Sequence, residues 1–175
     1  WMGDTPYYIG YFNMYNYWGF TEQVPQTVFV LNTRKSMNKI ITGIRFKAVR
    51  IDKKKYYGIQ GIKIDGETVN ISDKERTLVD FIFNPINSFN KIKEVLKDNV
   101  KEIDAEKFIK YLIQFPVIAV RKRAGYILER LNFNAKLLNE LQQSVGKENT
   151  YITLNPFNRL RKGAINKKWR VIVNG

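Results

Sequence analysis

The chain has 175 residues, 44% of them hydrophobic, and a formal net charge of +14, a composition that excludes intrinsic disorder and suits one domain of ordinary size or two small ones. Cysteine and histidine are both absent, which removes disulfide frameworks, thiol nucleophiles, zinc sites built on these residues and every triad with an imidazole base. No run approaches the roughly 18–20 apolar residues of a membrane helix, and the opening WMGDTPYY lacks the basic start and apolar middle of a signal peptide, so a soluble, cytoplasmic protein is expected.

The first element lies in PYYIGYFNMYNYWGF, where eight of fifteen residues are aromatic. Tyr11, Met14, Tyr15 and Trp18 recur at helical spacing, with Asn13, Asn16 and Tyr17 on the other side and Gly19 at the C-terminal stop. Rings beside cations can stack on unpaired bases, but rings with this period, backed by asparagines, read as core with Tyr17 left in solvent. QTVFVLN and GIRFKAVRI follow as strands, the second placing Ile44, Phe46 and Ala48 opposite Arg45, Lys47 and Val49. YYGIQGIKIDGETVNI reads as a hairpin around Asp65-Gly66. The expectation is an antiparallel meander of about four strands between residues 27 and 71.

ISDKERTLVDFIFNP begins with Ser72 and Glu75 at capping-box spacing, adds Asp73 at the positive end of the helix dipole, and stops at Pro85; Leu78, Phe81 and Ile82 face the core. Helices are expected at FNKIKEVLKDNV, DAEKFIKYLIQF, VIAVRKRAGYILERLN and AKLLNELQQSV. YITLNP and KKWRVIVNG return to strand composition, and a C-terminal strand is expected to rejoin the sheet. Strands, then helices, then a strand describe an α+β domain spanning residues 1–175. The GKEN turn at 146–149 allows a semi-independent basic tail over 150–175.

Charge is unevenly placed. Residues 1–74 hold 11 basic against 6 acidic side chains, 75–116 hold 7 against 7, and 117–175 hold 12 against 3. RKR at Arg121–Arg123, RLRK with Arg159, Arg161 and Lys162, NKKWR with Lys167, Lys168 and Arg170, and DKKK at Lys53–Lys55 are the clusters. Such asymmetry is the footprint of a phosphate-binding surface. On the RKR helix, Arg123 falls on the apolar face with Val120, Ala124, Ile127, Leu128 and Leu131, where its stem packs and its guanidinium meets a carboxylate or helix terminus. Arg121, Lys122, Gly125 and Glu129 look outward or sideways, and of these Arg121 and Lys122 are free to meet phosphate.

Catalytic and cofactor motifs are sparse. GIQG lacks the lysine and hydroxyl of a P-loop and the strand-to-helix context of a dinucleotide fingerprint, so no cofactor is expected. Asp52-Lys53-Lys54 has the spacing of the second part of a restriction-type nuclease motif, a reading in which Asp52, Asp65 and Glu67 hold a metal and Lys54 stands beside the scissile phosphate. That nuclease, and a pure protein-interaction domain, are the alternatives to a phosphate-binding regulator.

In order, YYIGYFNMYNYWGFTEQVPQTVFVLNT, GIQGIKIDGETVNISDKERTLVDFIFNP, DAEKFIKYLIQF, VRKRAGYILERL and the closing YITLNP…KKWRVIVN resemble the C-terminal domain of AbiEi-type antitoxins, transcriptional regulators of type IV toxin–antitoxin (abortive-infection) systems. Gly19-Phe20-Thr21, the run from Val69 to Asp80 with Glu75, Leu78 and Asp80, Arg123-Ala124-Gly125-Tyr126, and Trp169 to Asn174 carry most of it. The resemblance implies a non-enzymatic domain that assists an N-terminal winged helix in binding operator DNA, with RNA a further possibility. It also implies opposition to a nucleotidyltransferase-like toxin without a stable complex. No winged helix is seen ahead of Tyr7, and the resemblance supplies no catalytic residues. The expected phosphate-facing residues are Arg121, Lys122, Arg159, Arg161, Lys162, Lys167, Lys168 and Arg170.

Overall fold

The computed structural model describes residues 2–86, 88–147, 149–158 and 160–174 and has the expected α+β composition. The chain divides into two compact units between Thr77 and Leu78, not at the 146–149 turn.

The first unit holds β1 (Tyr7–Ile9), α1 (Phe12–Tyr17), β2 (Thr27–Asn32), β3 (Met37–Ile41), β4 (Ile44–Arg50), β5 (Ile59–Ile64) and β6 (Glu67–Ser72). These strands form one six-stranded sheet in the order β3-β4-β2-β1-β6-β5. The expected meander is therefore corrected: β2 pairs in parallel with β4, and β1 with β6, so the sheet is mixed. Hairpin signals identify only consecutive antiparallel pairs, and the Asp65-Gly66 hairpin between β5 and β6 does form, with φ of 49° and 83° at its two turn residues.

Buried Asn32 explains how β4 comes to lie between β2 and β3. Its Oδ1 accepts from the backbone amides of Arg34 and Lys35, and its Nδ2 donates to the Lys35 carbonyl and, at 3.4 Å, to that of Val49. One side chain thus closes the turn and ties it to the end of β4.

The aromatic stretch is core. Tyr8, Tyr11, Met14, Tyr15 and Phe20 are buried while Tyr17 is exposed, as its position on the helix requires. Phe12 meets Phe29 of β2 at 5.1 Å between ring centres. Asn13, expected on the outer side, instead receives the Phe29 amide on Oδ1 and donates to the Thr27 carbonyl, satisfying strand groups that no neighbouring strand reaches.

The helix α2 (Lys74–Phe83) begins one residue later than expected: the Asp73 carboxylate accepts the Arg76 amide at 2.8 Å, and the Ser72 hydroxyl is paired instead with that of Thr77. Arg76 is fully buried, with its guanidinium on the Lys55 carbonyl, 3.4 Å from the Tyr8 hydroxyl, and over the Tyr57 ring.

The second unit contains α3 (Phe89–Asn99), α4 (Ala105–Gln114), α5 (Ile118–Arg130) and α6 (Ala135–Val145), the first, second and fourth capped by Ser88, Asp104 and Asn134. It ends in β7 (Ile152–Thr153), β8 (Ala164–Asn166) and β9 (Val171–Val173), a separate sheet ordered β7-β9-β8. The expectation that the last strand rejoins the first sheet is thus corrected. Instead β9 finds both its partners within the final segment, parallel to β7 and antiparallel to β8.

Strands of two and three residues are too short to hold a sheet on their own. They are held by α5. Trp169 is fully buried with its indole lying against Gly125, where an added Cβ would stand 2.1, 2.3 and 2.4 Å from three ring carbons. The indole N–H donates to Glu129 Oε2 at 3.0 Å. Helical spacing turns Gly125 outward, but its missing side chain is the space the indole fills.

Gly125→Ala is therefore expected to destabilise this unit by about 1–3 kcal/mol, the usual penalty of overpacking. Chemical denaturation followed by tryptophan fluorescence reads it, and an unchanged midpoint would contradict the close approach of ring and helix.

Candidate nucleic-acid interface

The cations expected to face phosphate separate into two groups. Along α5 three successive cations reach backbone carbonyls. Arg121 is half-buried and its Nη1 donates to Ser144 at the end of α6. Lys122 is 0% exposed, and its ammonium donates to the Thr150 carbonyl. Arg123 donates to the carbonyls of Leu154 at 2.8 Å and Thr153 at 3.3 Å.

Lys122 as a phosphate ligand is therefore corrected, and Arg121 is bound to a helix end. The partner foreseen for Arg123, a carboxylate or helix terminus, is replaced by two carbonyls at and just after β7. Burial pushes the Arg123 guanidinium down to about 10, which leaves it charged at neutral pH. A helical wheel misses this because residues 122–128 are all buried, so α5 has no solvated side from which to read a phase.

The second group belongs to residues 156–168, PFNRLRKGAINKK, which contain no Asp or Glu. Buried Asn174 organises the start of this segment: its amide donates to the carbonyls of Asn155, Asn158 and Leu160, and its Oδ1 accepts the Asn155 amide. Beyond it Arg161, Lys162, Lys167 and Lys168 are exposed. Arg161 also donates to the Tyr151 carbonyl. Lys162 and Lys167 form no ion pair with a described residue.

Lys168 pairs with Glu129, which offsets its charge, and the guanidinium of half-buried Arg170 donates to the Gly146 carbonyl. Arg159 lies outside the described residues. Phe157, Leu160 and Ile165 are exposed among these cations, apolar groups that the charge count alone does not disclose. The structure thus brings Arg161, Lys162, Lys167 and Lys168 to one exposed, acid-free segment and leaves Arg121 and Lys122 to structural work in α5.

The nuclease residues are placed otherwise. Asp52 caps a short 3-10 turn at Lys53–Lys55 by accepting the Lys54 amide at 2.7 Å, Asp65 sits in the β5–β6 turn, and Glu67 opens β6. Among the described residues no group of three or more Asp, Glu, His or Cys is gathered closely enough to hold a metal ion. A pocket of about 230 Å³ bounded by Phe89, Tyr126, Ile127, Leu154 and Val173 has apolar walls with Lys93 and Arg130 at its lining. It falls short of the roughly 300–1,000 Å³ of ordinary ligand sites.

No protein-family model matches the chain, and no curated protein is significantly similar to it. Among solved structures the chain is similar to the crystal structure of the Rv2827c protein from Mycobacterium tuberculosis, with a TM-score of 0.60 and 11% identity over 96% of this chain. It spans 62% of that protein's length, and at this identity the likeness concerns the fold. No helix among the described residues is long and apolar enough to cross a membrane.

Lys122→Met and Arg123→Met are each expected to cost about 1–3 kcal/mol by removing buried donors that hold the Thr150, Thr153 and Leu154 carbonyls. Thermal melts read the loss. The same variants, measured below their melting range, should leave the salt dependence of polyanion binding unaltered, since neither charge reaches the surface.

Proposed function

We propose that the chain is a non-enzymatic, nucleic-acid-binding regulatory domain of the AbiEi antitoxin kind, acting in the cytoplasm and opposing a nucleotidyltransferase-like toxin without binding it stably. The observation that carries the nucleic-acid part is the carboxylate-free segment 156–168, in which Arg161, Lys162 and Lys167 are exposed together with Phe157, Leu160 and Ile165. Cations of this kind attract phosphate and position a protein on nucleic acid, while the exposed ring and aliphatic groups can pack on sugars or unstacked bases. The antitoxin part rests on the order of sequence motifs from Tyr7 to Asn174. Duplex DNA is the first expected partner, with structured RNA such as tRNA second.

Arg161→Glu, Lys162→Glu and Lys167→Glu combined should weaken binding to duplex DNA and to tRNA. On duplex DNA the slope of log affinity against log salt should flatten by about 0.9 for each phosphate that the variant no longer neutralises. Fluorescence anisotropy from low to physiological salt reads both quantities. A triple variant that binds like the parent at every salt concentration would remove this segment from the interface.

A further inference from the structure

The pocket of about 230 Å³ in the second unit combines apolar walls with charge of a single sign. Phe89 and Lys93 stand about one helical turn apart on α3, and Tyr126 and Arg130 repeat the same spacing of ring and cation on α5. In each pair the cation lies over its own ring. Lys93 Nζ is 4.8 Å from the Phe89 centroid, and the Arg130 guanidinium is 5.5 Å from that of Tyr126. Arg130 Nη1 also donates to the Tyr126 hydroxyl at 3.3 Å, and Lys93 Nζ to Asn90 Oδ1 at 3.2 Å.

Phe89, Tyr126, Ile127 and Leu154 are buried, so packing holds the wall, whereas Lys93 and Arg130 are exposed. No Asp or Glu lines the pocket, and neither cation forms an ion pair with a described residue. A ring beneath a cation orients it without neutralising it. An ammonium has three donors and a guanidinium five, so each contact above leaves donors for a bound anion.

The geometry points to a binding site for a small aromatic carboxylate, a single ring with one anionic group, its ring against Phe89, Tyr126 and Ile127 and its carboxylate at Lys93 and Arg130. This goes beyond the nucleic-acid reading and does not depend on it. The pocket is too small for a drug-sized ligand, but an apolar protein cavity of about 150 Å³ takes up benzene, and 230 Å³ leaves room for a carboxylate as well. Lining rings from two helices favour an aromatic body through offset and edge contacts. A nucleobase suits the pocket less. No Asn, Gln, Ser or Thr lines it, so the polar edge of a base would lose its water without gaining side-chain amide or hydroxyl partners.

The test is a ligand-detected NMR titration of the full chain with benzoate, benzamide, acetate and adenosine monophosphate. Benzoate carries ring and charge, benzamide the ring alone, acetate the charge alone, and benzoate is expected to bind more tightly than either. Lys93→Gln with Arg130→Gln should weaken benzoate binding about tenfold and leave benzamide binding where it was. Both positions are exposed, circular dichroism melts identify any failure to fold, and the single substitutions carry the test if the pair does not fold. Lys162→Gln with Lys167→Gln removes the same charge from segment 156–168 and should leave benzoate binding unaltered.

Equal loss in the two charge variants would reduce the effect to net charge and overturn the site, as would parent-like benzoate binding by the Lys93 and Arg130 variant. Benzamide binding as tightly as benzoate, displacement of benzoate by adenosine monophosphate at lower concentration, or no uptake of benzoate at millimolar concentration would also refute it. None of these outcomes bears on the nucleic-acid reading, which is decided by the Arg161, Lys162 and Lys167 variant.

Discussion

The packing of the Trp169 indole against Gly125 is the interaction on which the final segment depends. Short strands β7, β8 and β9 supply few ladder bonds, and the turn between β8 and β9 exposes Lys167 and Lys168 while burying Trp169. What fixes them is one helix face with a gap where a side chain would be, filled by an indole ring and closed by the bond from its N–H to Glu129. Because Glu129 also receives Lys168, a single carboxylate on α5 orients the ring and the first cation before it. The exposed basic segment 156–168 is thereby placed by packing and not by its own sequence.

Buried cations in both units reach backbone carbonyls. Lys122 reaches Thr150, Arg123 reaches Thr153 and Leu154, and Arg76 reaches Lys55. Removing an ammonium or guanidinium from water is costly, and carbonyl dipoles offset part of that cost while holding an irregular chain in place. A carbonyl in a loop needs a donor as much as a buried cation needs an acceptor. This exchange explains why RKR, the densest cationic triplet of α5, contributes little to the surface field.

Much of the fold is legible in the sequence because local rules govern it. The aromatic helix, the Asp65-Gly66 hairpin and the helices from residue 74 to 145 follow from spacing, turn residues and caps. Strand order is not legible, because parallel pairing of β2 with β4 depends on the Asn32 network and leaves no mark in strand periodicity. At the candidate interface, Arg161, Lys162 and Lys167 are recognisable from charge and composition alone. Lys122 reads wrongly as a surface cation because the amphipathic argument presumes a helix with one wet side, and α5 is buried around most of its circumference. The β3–β4 cations escape a search for clusters because they are spaced through alternating strands.

Charge placement also bears on the choice between the binding surface proposed above and a merely solubilising one. A surface enriched in lysine for solubility mixes acidic and basic groups, as residues 75–116 do with 7 of each. Residues 33–51 in one unit and 156–168 in the other instead lack carboxylates altogether while exposing several cations. Each of these stretches also exposes large apolar side chains, Ile40 and Ile44 in the first, Phe157, Leu160 and Ile165 in the second. Solubility would disfavour apolar groups at those positions, whereas a polyanion with accessible bases rewards both features at once. The coincidence of missing carboxylates with exposed apolar groups, found separately in two units, therefore favours binding to nucleic acid over a simple solubilising charge.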